Sequence, residues 1–377
     1  MSRPSAVGVH CYAGGFAVGV SRHFDVVAHF EELDAGLGVF RDNFPKAELT
    51  HSEPKGWPTK RYRGVDLVYG NPPCAPWSQS AGNTRKGLGD PRVAYTFDTA
   101  AAALALRPKV FVLESVSKIL RYGAPVLEEL TARSHGAGYA VTYFLTNAVL
   151  HGVAQYRERF HFVAHKTPFY PPARLGDYGE ALTVRDAIGD LEGVEPDGGV
   201  DGHNYYEPPE KALGPLLGYM LQGEDGWRMH QRAVDDGLAE RASLSMLYKR
   251  PRYDCPSNAV VAVDRLVHPT LPRMITVREA ARLCSYPDDF TFRESGRRWA
   301  HDPGQAVCPN VAECVAESAA EGIASGEEIA DVRRESSKEP DNVIDYRDKG
   351  REFHKLFLRD FKAMRKGREA SPFMGVR

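Results

Sequence analysis

The sequence predicts an α/β fold, in which one open sheet carries helices on both faces and a smaller region is added to it. Three short, largely apolar runs, at residues 6–9, 65–70 and 110–113, have the length and composition of buried strands. Helical patterns alternate with them, the clearest being the Ala- and Leu-rich segment 94–106. Strands that alternate with helices are typical of open α/β sheets, which bind ligands at the carboxyl ends of their strands.

Length, composition and charge exclude several classes of protein. The chain has 377 residues, 42% of them hydrophobic, which is enough to bury a sizeable core. Its 48 basic and 50 acidic residues give a net charge of -2, so any surface that binds nucleic acid must be local. The sequence begins without an apolar signal segment and contains no run of about 18 apolar residues. We therefore expect a cytoplasmic protein with no membrane contact.

The cysteines predict neither disulfides nor a metal centre. They stand at positions 11, 74, 255, 284, 308 and 314, and none has the Cys-x-x-Cys spacing or a nearby histidine pair that a zinc site needs. We expect six reduced thiols and no bound metal.

Cys74 stands at the carboxyl end of a predicted strand. The run 65–70 leads into Asn71-Pro72-Pro73, a turn that stops the strand abruptly. A cysteine is a nucleophile only as the thiolate, which nearby arginines favour. A single cysteine is more often a small core residue, so the interpretation depends on its neighbours.

Two further reactive groups lie at or beside the ends of successive predicted strands. The run after Cys74 ends on Glu114, and strand alternation places Gln155, Arg157 and Arg159 on one face. Because neighbouring strand ends converge in space, a thiolate, a carboxylic acid and a guanidinium pair would share one pocket. Such a set suits attack on an electron-poor heterocycle. Without the cysteine, a structural ion pair would be the preferred interpretation.

The first part of the chain has the features of a nucleotide-binding half. The strand at 6–9 is followed by Gly14-Gly15, where glycines let the backbone approach a ligand closely. An acidic stretch follows the second strand, and Glu32 there can accept hydrogen bonds from ribose hydroxyls. Two adjacent glycines more often form a plain turn, but here the glycine pair after the first strand and the acidic residue after the second strand support each other.

Composition sets the expected domain boundaries. The stretch 78–92, rich in glycine, serine and basic residues, predicts a mobile loop able to meet phosphates. We expect a catalytic and cofactor-binding α/β domain at 1–165, a small recognition region at 166–265, a return to the first domain at 266–325 and a charged extension at 326–377.

These segments resemble, in order, the motifs of the cytosine-C5 DNA methyltransferases. The resemblance covers residues 5–325, and although each motif alone is only moderately specific, the ordered set is highly specific. The matching segments are His-Cys-Tyr-Ala-Gly-Gly-Phe at 10–16, Glu-Leu-Asp at 32–34, Pro-Pro-Cys at 72–74, Glu-Ser-Val at 114–116, Gly-Val-Ala-Gln-Tyr-Arg-Glu-Arg at 152–159, Thr-Val-Arg-Asp-Ala-Ile at 183–188, Thr-Val-Arg-Glu-Ala-Ala-Arg-Leu at 276–283 and Gly-Gln-Ala-Val at 304–307.

The resemblance implies a Rossmann-like methyltransferase that uses S-adenosylmethionine and acts on double-stranded DNA as a monomer, as in restriction-modification. Such an enzyme flips a cytosine out of the duplex. Cys74 would add to C6 of the base, Glu114 would protonate or hydrogen-bond N3, and Arg159 with Arg157 would hold O2. The methyl group would then pass to C5.

The resemblance also implies a cofactor site, and here the sequence departs from the family pattern. The family's motif aromatic falls on His10 in an ungapped alignment and on Tyr12 if the loop is shortened, and Gln305 stands where asparagine is usual. A modified donor, an RNA substrate and a catalytically silent DNA-binding homologue are the open alternatives. The expected cofactor-binding residues are His10, Tyr12, Gly14, Gly15, Glu32, Pro73, Gln305 and Val307.

Overall fold

The computed structural model describes residues 3–78, 87–173, 175, 180–196, 206, 211, 213–240, 244–261, 265–292 and 302–336. Residues 79–86 of the predicted loop and 337–377 of the predicted extension therefore lie outside the described residues. The chain divides into two compact units. One contains Met1–Asn147, Glu158–Ala173 and the segment that begins at Ala306, and the other contains Ala148–Arg157 and Arg174–Gln305.

The first unit is built on a sheet of seven strands. Its spatial order is β3-β2-β1-β4-β5-β7-β6, in which β7 alone runs antiparallel to its neighbours. The order reverses between β1 and β4, and open α/β sheets bind ligands at the carboxyl ends of the strands on either side of such a reversal. The strands are β1 (Ser5–Val9), β2 (Asp25–Glu31), β3 (Glu48–His51), β4 (Leu67–Gly70), β5 (Val110–Val116), β6 (Ala140–Asn147) and β7 (Glu158–His165).

Ten helices are present in the described part of the chain, and they confirm the predicted α/β class. The Ala- and Leu-rich pattern at 94–106 forms the third of them, and short 3-10 turns join several elements. The helices are α1 (Gly15–Val20), α2 (Leu37–Asn43), α3 (Val93–Leu106), α4 (Ile119–Tyr122), α5 (Ala124–Gly136), α6 (Val184–Ile188), α7 (Gly226–Asp235), α8 (Val277–Leu283), α9 (Asp302–Gln305) and α10 (Pro309–Ala324).

In the first unit, α1 and α10 approach each other closely because Gly19 has no side chain. A Cβ atom at Gly19 would lie 2.3 Å from the carbonyl oxygen of Pro309 and 2.4 Å from the amide nitrogen of Glu313. Both are backbone atoms, so no side-chain rotation relieves the contact. Helix α10 is thereby fixed against α1, beside the glycine turn that follows β1.

We expect Gly19→Ala to lower the free energy of unfolding by about 1–3 kcal/mol, the usual range for overpacking. Gly136→Ala in α5 is the matched control, because no heavy atom lies within 4 Å of the added Cβ. The control should be neutral or stabilising by up to about 1 kcal/mol. Urea unfolding measures both variants, and equal effects would contradict the close helix contact.

In the described part of the second unit, short helices pack around an apolar cluster. Asp225 caps the start of helix α7, because its side chain accepts a hydrogen bond from the amide of Arg228 at 2.9 Å. Helix α8 begins with a capping box between Thr276 and Glu279, as the spacing of these residues in the sequence indicates. The cluster comprises Leu213, Leu216, Leu217, Met220, Met229, Ala233, Leu244, Tyr248, Val267 and Met274.

Glu279 also holds a buried charge cluster in this unit. Its Oε1 lies 2.7 Å from Nη2 of Arg273 and 3.4 Å from Nε2 of His268. Burial acts to raise the pKa of Glu279, but the hydrogen bonds and charges of Arg273 and His268 outweigh it and lower the pKa from 4.5 to about 2. The carboxylate therefore stabilises the fold above pH 4.5, and this contribution is lost as the pH falls towards 2.

Glu279→Gln is expected to lower the free energy of unfolding at pH 7 by about 3–5 kcal/mol, as when one partner of a buried ion pair is removed. The variant should also lose part of the pH dependence of stability in the acid range. Glu321→Gln, at an exposed position of α10, is the control and should behave as the wild type. Denaturant unfolding at several pH values tests this, and an unchanged pH slope in Glu279→Gln would contradict it.

The described residues were compared with the requirements of a membrane-spanning helix, a metal site and a disulfide. No helix within them is long and apolar enough to cross a bilayer. Among the same residues, no three His, Cys, Asp or Glu side chains come together as a metal site requires. All six cysteines lie within the described residues, and none of them forms a disulfide.

Candidate active site

The turn after β4 presents Cys74 at the carboxyl edge of the sheet. Helix α3 passes so close to the end of β4 that a Cβ at Gly70 would lie 2.4 Å from Cγ2 of Thr99. The carbonyl oxygen of Cys74 accepts hydrogen bonds from the amides of Trp77 and Ser78, both at 3.0 Å. The Trp77 ring is fully buried and anchors this turn, while Cys74 is half-buried.

Arg92 brings a positive charge close to this turn. Its guanidinium binds Asp90 through two contacts, Nε to Oδ1 at 2.9 Å and Nη2 to Oδ2 at 2.7 Å. These hydrogen bonds, and to a smaller extent the charge of Cys74, raise the pKa of Arg92. A neighbouring cation is what a nucleophilic thiolate requires.

Glu114 lies in β5, the strand beside β4, and is 1% exposed. Its Oε1 lies 3.0 Å from Nε of Arg159, and its Oε2 accepts a hydrogen bond from the side-chain amide of Asn71. Asn71 belongs to the Cys74 turn, and Arg159 belongs to β7. The cluster of Asn71, Glu114 and Arg159 thus connects the ends of three neighbouring strands. Sequence reasoning did not single out Asn71.

The sequence placed the end of β5 at Glu114, whereas the strand continues to Val116. The reason is the antiparallel partner, because β7 pairs with β5 as far as Val116, which lies opposite Arg159. Glu114 is therefore held inside the ladder, with backbone hydrogen bonds around it. The direction of the Glu114 side chain is therefore held more firmly than it would be if Glu114 lay in a loop.

Arg157 lies in the second unit and is 5% exposed. Its guanidinium donates hydrogen bonds to the carbonyl oxygens of Val260, at 2.9 Å, and Gly304, at 3.0 Å. Strand β7 begins only at Glu158, so the alternation that grouped Arg157 with Arg159 does not apply to it. Of that predicted pair, Arg159 is the one beside Glu114.

The turn between β1 and α1 contains two residues in the left-handed backbone region, His10 at φ 53° and Tyr12 at φ 55°. Glycine usually occupies such positions. His10 and Tyr12 therefore both hold a backbone conformation that is uncommon for residues other than glycine. The amide of Tyr12 donates to Oε2 of Glu31 at 3.3 Å, which helps hold this turn.

Glu31, the last residue of β2, is the acidic residue that sequence reasoning missed here. Its Oε1 accepts hydrogen bonds from the amides of Glu32 and Leu33, both at 3.0 Å. Burial acts to raise the pKa of Glu31, but the hydrogen bond and charge of His29, together with the hydrogen bond from the amide of Leu33, leave it lowered. The sequence signal that could have identified Glu31 is its place as the last residue of the strand, where the structure buries it to 2% exposure.

Glu32, the predicted ribose ligand, follows directly and is half-buried. Its pKa is raised by burial and by the nearby carboxylates of Asp98, Glu53 and Glu31. An acidic set therefore surrounds the carboxyl end of β2. Such a set favours a cationic ligand.

The other predicted cofactor residues fall at several places. Gly14 has φ 94° and caps α1, and a Cβ there would lie 3.0 Å from Cδ2 of Phe40. Gly15 begins α1, and Pro73 lies half-buried in the Cys74 turn. Gln305 ends α9 in the second unit, and Val307 is buried in the core of the first unit.

Residues 6–321 match the family model for C-5 cytosine-specific DNA methylases. The chain belongs to this family. Among its relatives, the Type II methyltransferase M1.HphI of Haemophilus parahaemolyticus is 28% identical over 321 residues, covering 81% of this chain and 84% of the relative. The Type II methyltransferase M.XorII of Xanthomonas oryzae is 28% identical over 361 residues, covering 84% of each.

Solved structures agree on the fold. A DNA modification methyltransferase encoded within an E. coli prophage superposes with a TM-score of 0.66 at 18% identity, covering 85% of this methylase and 99% of that chain. The Entamoeba histolytica methyltransferase EhMeth gives 0.61 at 14% identity, covering 86% and 99%. The predicted family and its Rossmann-like fold are thus confirmed.

Methylases of this family act on DNA and take the methyl group from S-adenosylmethionine, and the residues at the end of β1 and β2 suit that molecule. Glu32 can accept hydrogen bonds from its ribose hydroxyls, and the acidic set around Glu32 attracts a molecule of net positive charge. Gly14 leaves a space that a side chain would fill against Phe40. His10 adds a buried ring nitrogen, Nε2, that has no hydrogen-bond partner among the described residues.

Proposed function

We propose that the methylase modifies double-stranded DNA with Cys74 as nucleophile and Glu114 as acid. The observation that carries this assignment is the cluster in which Asn71 and Arg159 both contact the Glu114 carboxylate, next to the Cys74 turn. A thiol, a carboxyl group and a guanidinium on adjoining strand ends are the groups that addition to cytosine requires.

The reaction begins with addition to the base. The Cys74 thiolate forms a bond to C6, and the C5–C6 π electrons move towards C5 and N3 as Glu114, in its acid form, gives its proton to N3. Arg159 binds O2 of the ring and holds the base against Glu114. The added base is an enamine, so C5 becomes nucleophilic without carrying a full negative charge.

S-adenosylmethionine, when bound, supplies an electrophilic methyl group to C5. Loss of the C5 proton to solvent then restores the C5–C6 double bond, and the S–C6 electron pair returns to Cys74. The N3 proton returns to Glu114, so both side chains end the cycle as they began. The base must be flipped out of the duplex for this to happen.

The cofactor assignment rests on residues around the end of β1 and β2. His10, Tyr12, Gly14 and Gly15 would contact the adenosine and methionine parts, and Glu32 the ribose. Glu31 supports them by fixing the Tyr12 amide. Pro73, Val307 and Gln305 keep their predicted roles in this proposal.

The hydrogen bonds of Arg157 to Val260 and Gly304 support a positioning role for it in the second unit. Region 166–265 is proposed to recognise the target sequence, and its Trp227 is 45% exposed on α7. Arg250 and Arg252 in the same region are each 6% exposed, so they are poor candidates for phosphate contacts.

The names of the relatives favour a role in Type II DNA modification, and we propose an intracellular, monomeric enzyme of that kind. Incubation with methyl-labelled S-adenosylmethionine and either duplex DNA or transfer RNA tests the activity, with mass analysis of the nucleosides. Label in 5-methylcytosine from duplex DNA is expected. Label in transfer RNA only, a heavier C5 substituent, or no cytosine product would each contradict the proposal.

A further inference from the structure

His10 is a buried imidazole that directly follows β1. It is 2% exposed, and the rings of Trp57 and Tyr95 meet it edge-on at centroid distances of 5.1 and 5.3 Å. Its backbone amide donates to the carbonyl oxygen of Phe30 at 2.9 Å. These contacts hold the ring in one orientation at the point where the strand order reverses.

Thr99 determines which ring nitrogen of His10 carries the proton. The Thr99 hydroxyl donates to the carbonyl oxygen of Tyr95 at 2.7 Å, so its only hydrogen is already used. The same oxygen lies 3.0 Å from Nδ1 of His10, a contact in which either atom can donate. We assign the ring hydrogen to Nδ1, because the Thr99 hydrogen then stays on the carbonyl oxygen of Tyr95. Burial lowers the pKa of His10 and keeps the ring neutral. Nε2 is therefore an acceptor with a bare lone pair.

No donor among the described residues reaches Nε2 of His10. A buried polar atom without a hydrogen-bond partner lowers the stability of the folded protein, so a buried atom of this kind in a native structure calls for a functional explanation. In His165 of the same unit both ring nitrogens are paired, Nε2 with Thr142 at 2.9 Å and Nδ1 with the carbonyl oxygen of Thr167 at 2.9 Å. His10 is thus built as an acceptor without a protein donor.

We propose that Nε2 of His10 accepts a hydrogen bond from an N–H or O–H group on the adenosine half of the methyl donor. The inference rests on the cofactor site described above and makes it more specific. An aromatic hydrocarbon ring at this position could pack against the cofactor but could not accept such a bond. The available donors are the adenine amino group and the ribose hydroxyls.

Binding of S-adenosylhomocysteine, measured by calorimetry, tests this contact without any methyl transfer. We expect His10→Phe to weaken binding about 10-fold, the effect of one lost hydrogen bond to a buried group. Thr99→Val should also weaken binding, because Nδ1 loses its acceptor and the ring can move its proton to Nε2. Thr99→Ser keeps the hydroxyl and is the matched control. Thermal unfolding verifies that each variant is folded.

Analogues of S-adenosylhomocysteine identify the group that donates. One analogue lacks the adenine amino group, and two others lack the 2′ or the 3′ hydroxyl. Wild type should lose affinity for the analogue that lacks the donating group, whereas His10→Phe should lose little further affinity for that same analogue. Equal losses in both proteins for all three analogues would overturn the inference.

Nitrogen-15 spectra of histidine-labelled protein give an independent result. The signal missing in His10→Phe should show Nε2 unprotonated in the free protein and should move on addition of S-adenosylhomocysteine. If wild type binds this compound and His10→Phe binds it equally well, the inference is wrong while the cofactor assignment stands. If wild type does not bind it at all, the cofactor assignment fails and the inference with it.

Discussion

Replacing Cys74 by serine is expected to reduce methyl transfer by at least about 10⁴-fold, the scale on which enzymes respond to loss of a covalent nucleophile. A serine hydroxyl has the size of the thiol but stays protonated at neutral pH, so it cannot add to C6. The turn itself should survive, because its hydrogen bonds to Trp77 and Ser78 come from the backbone. Single-turnover transfer of labelled methyl to duplex DNA measures the effect.

Cys314→Ser is the matched control for this experiment. Cys314 lies on α10, and burial raises its pKa to about 11, so its thiol is protonated and unreactive. The control should transfer methyl groups at the wild-type rate. Equal activity of Cys74→Ser and wild type would show that the nucleophile lies elsewhere.

Replacing Glu114 by glutamine is expected to lower the rate of transfer about 10²- to 10⁴-fold, the range for loss of a general acid. Glutamine keeps the shape and one acceptor oxygen, but it cannot deliver a proton to N3. DNA affinity should change far less than the rate, because the substitution acts on the addition step.

Glu129→Gln in α5 makes the same chemical change at an exposed glutamate, which pairs only on the surface with Arg133 at 2.7 Å. Its rate should equal that of wild type. A Glu114→Gln enzyme with a wild-type rate and a normal melting temperature would remove Glu114 from the mechanism. Rapid-quench kinetics separate the rate of transfer from DNA binding.

Local sequence pattern predicted much of the first unit. The end of the strand before Cys74 could be predicted because two prolines follow its apolar run, and proline lacks the N–H group needed to continue the strand pairing. Helix α3 was visible because alanine and leucine extend over several turns. These features depend on neighbouring residues along the chain, and sequence reasoning captures such features well.

The features that were missed, or that were predicted only as a shared pocket, depend on distant partners. The contact between Glu114 and Arg159 arises only because β7 inserts antiparallel between β5 and β6. Alternation suggested a shared face for Arg157 and Arg159, yet the ladder begins at Glu158. The free nitrogen of His10 depends on Thr99, which lies 89 residues away along the chain. No local pattern contains these pairings.

The central claim is that Cys74 forms a covalent bond with a flipped cytosine. A duplex that carries 5-fluorocytosine tests it most directly, because fluorine cannot leave C5 as a cation and the enzyme stays bonded after methyl transfer. We predict a denaturation-resistant complex that requires S-adenosylmethionine, with the modified peptide mapped by mass spectrometry to Cys74 and absent from Cys74→Ser. A complex mapped to another residue, or none despite turnover of normal DNA, would contradict the account.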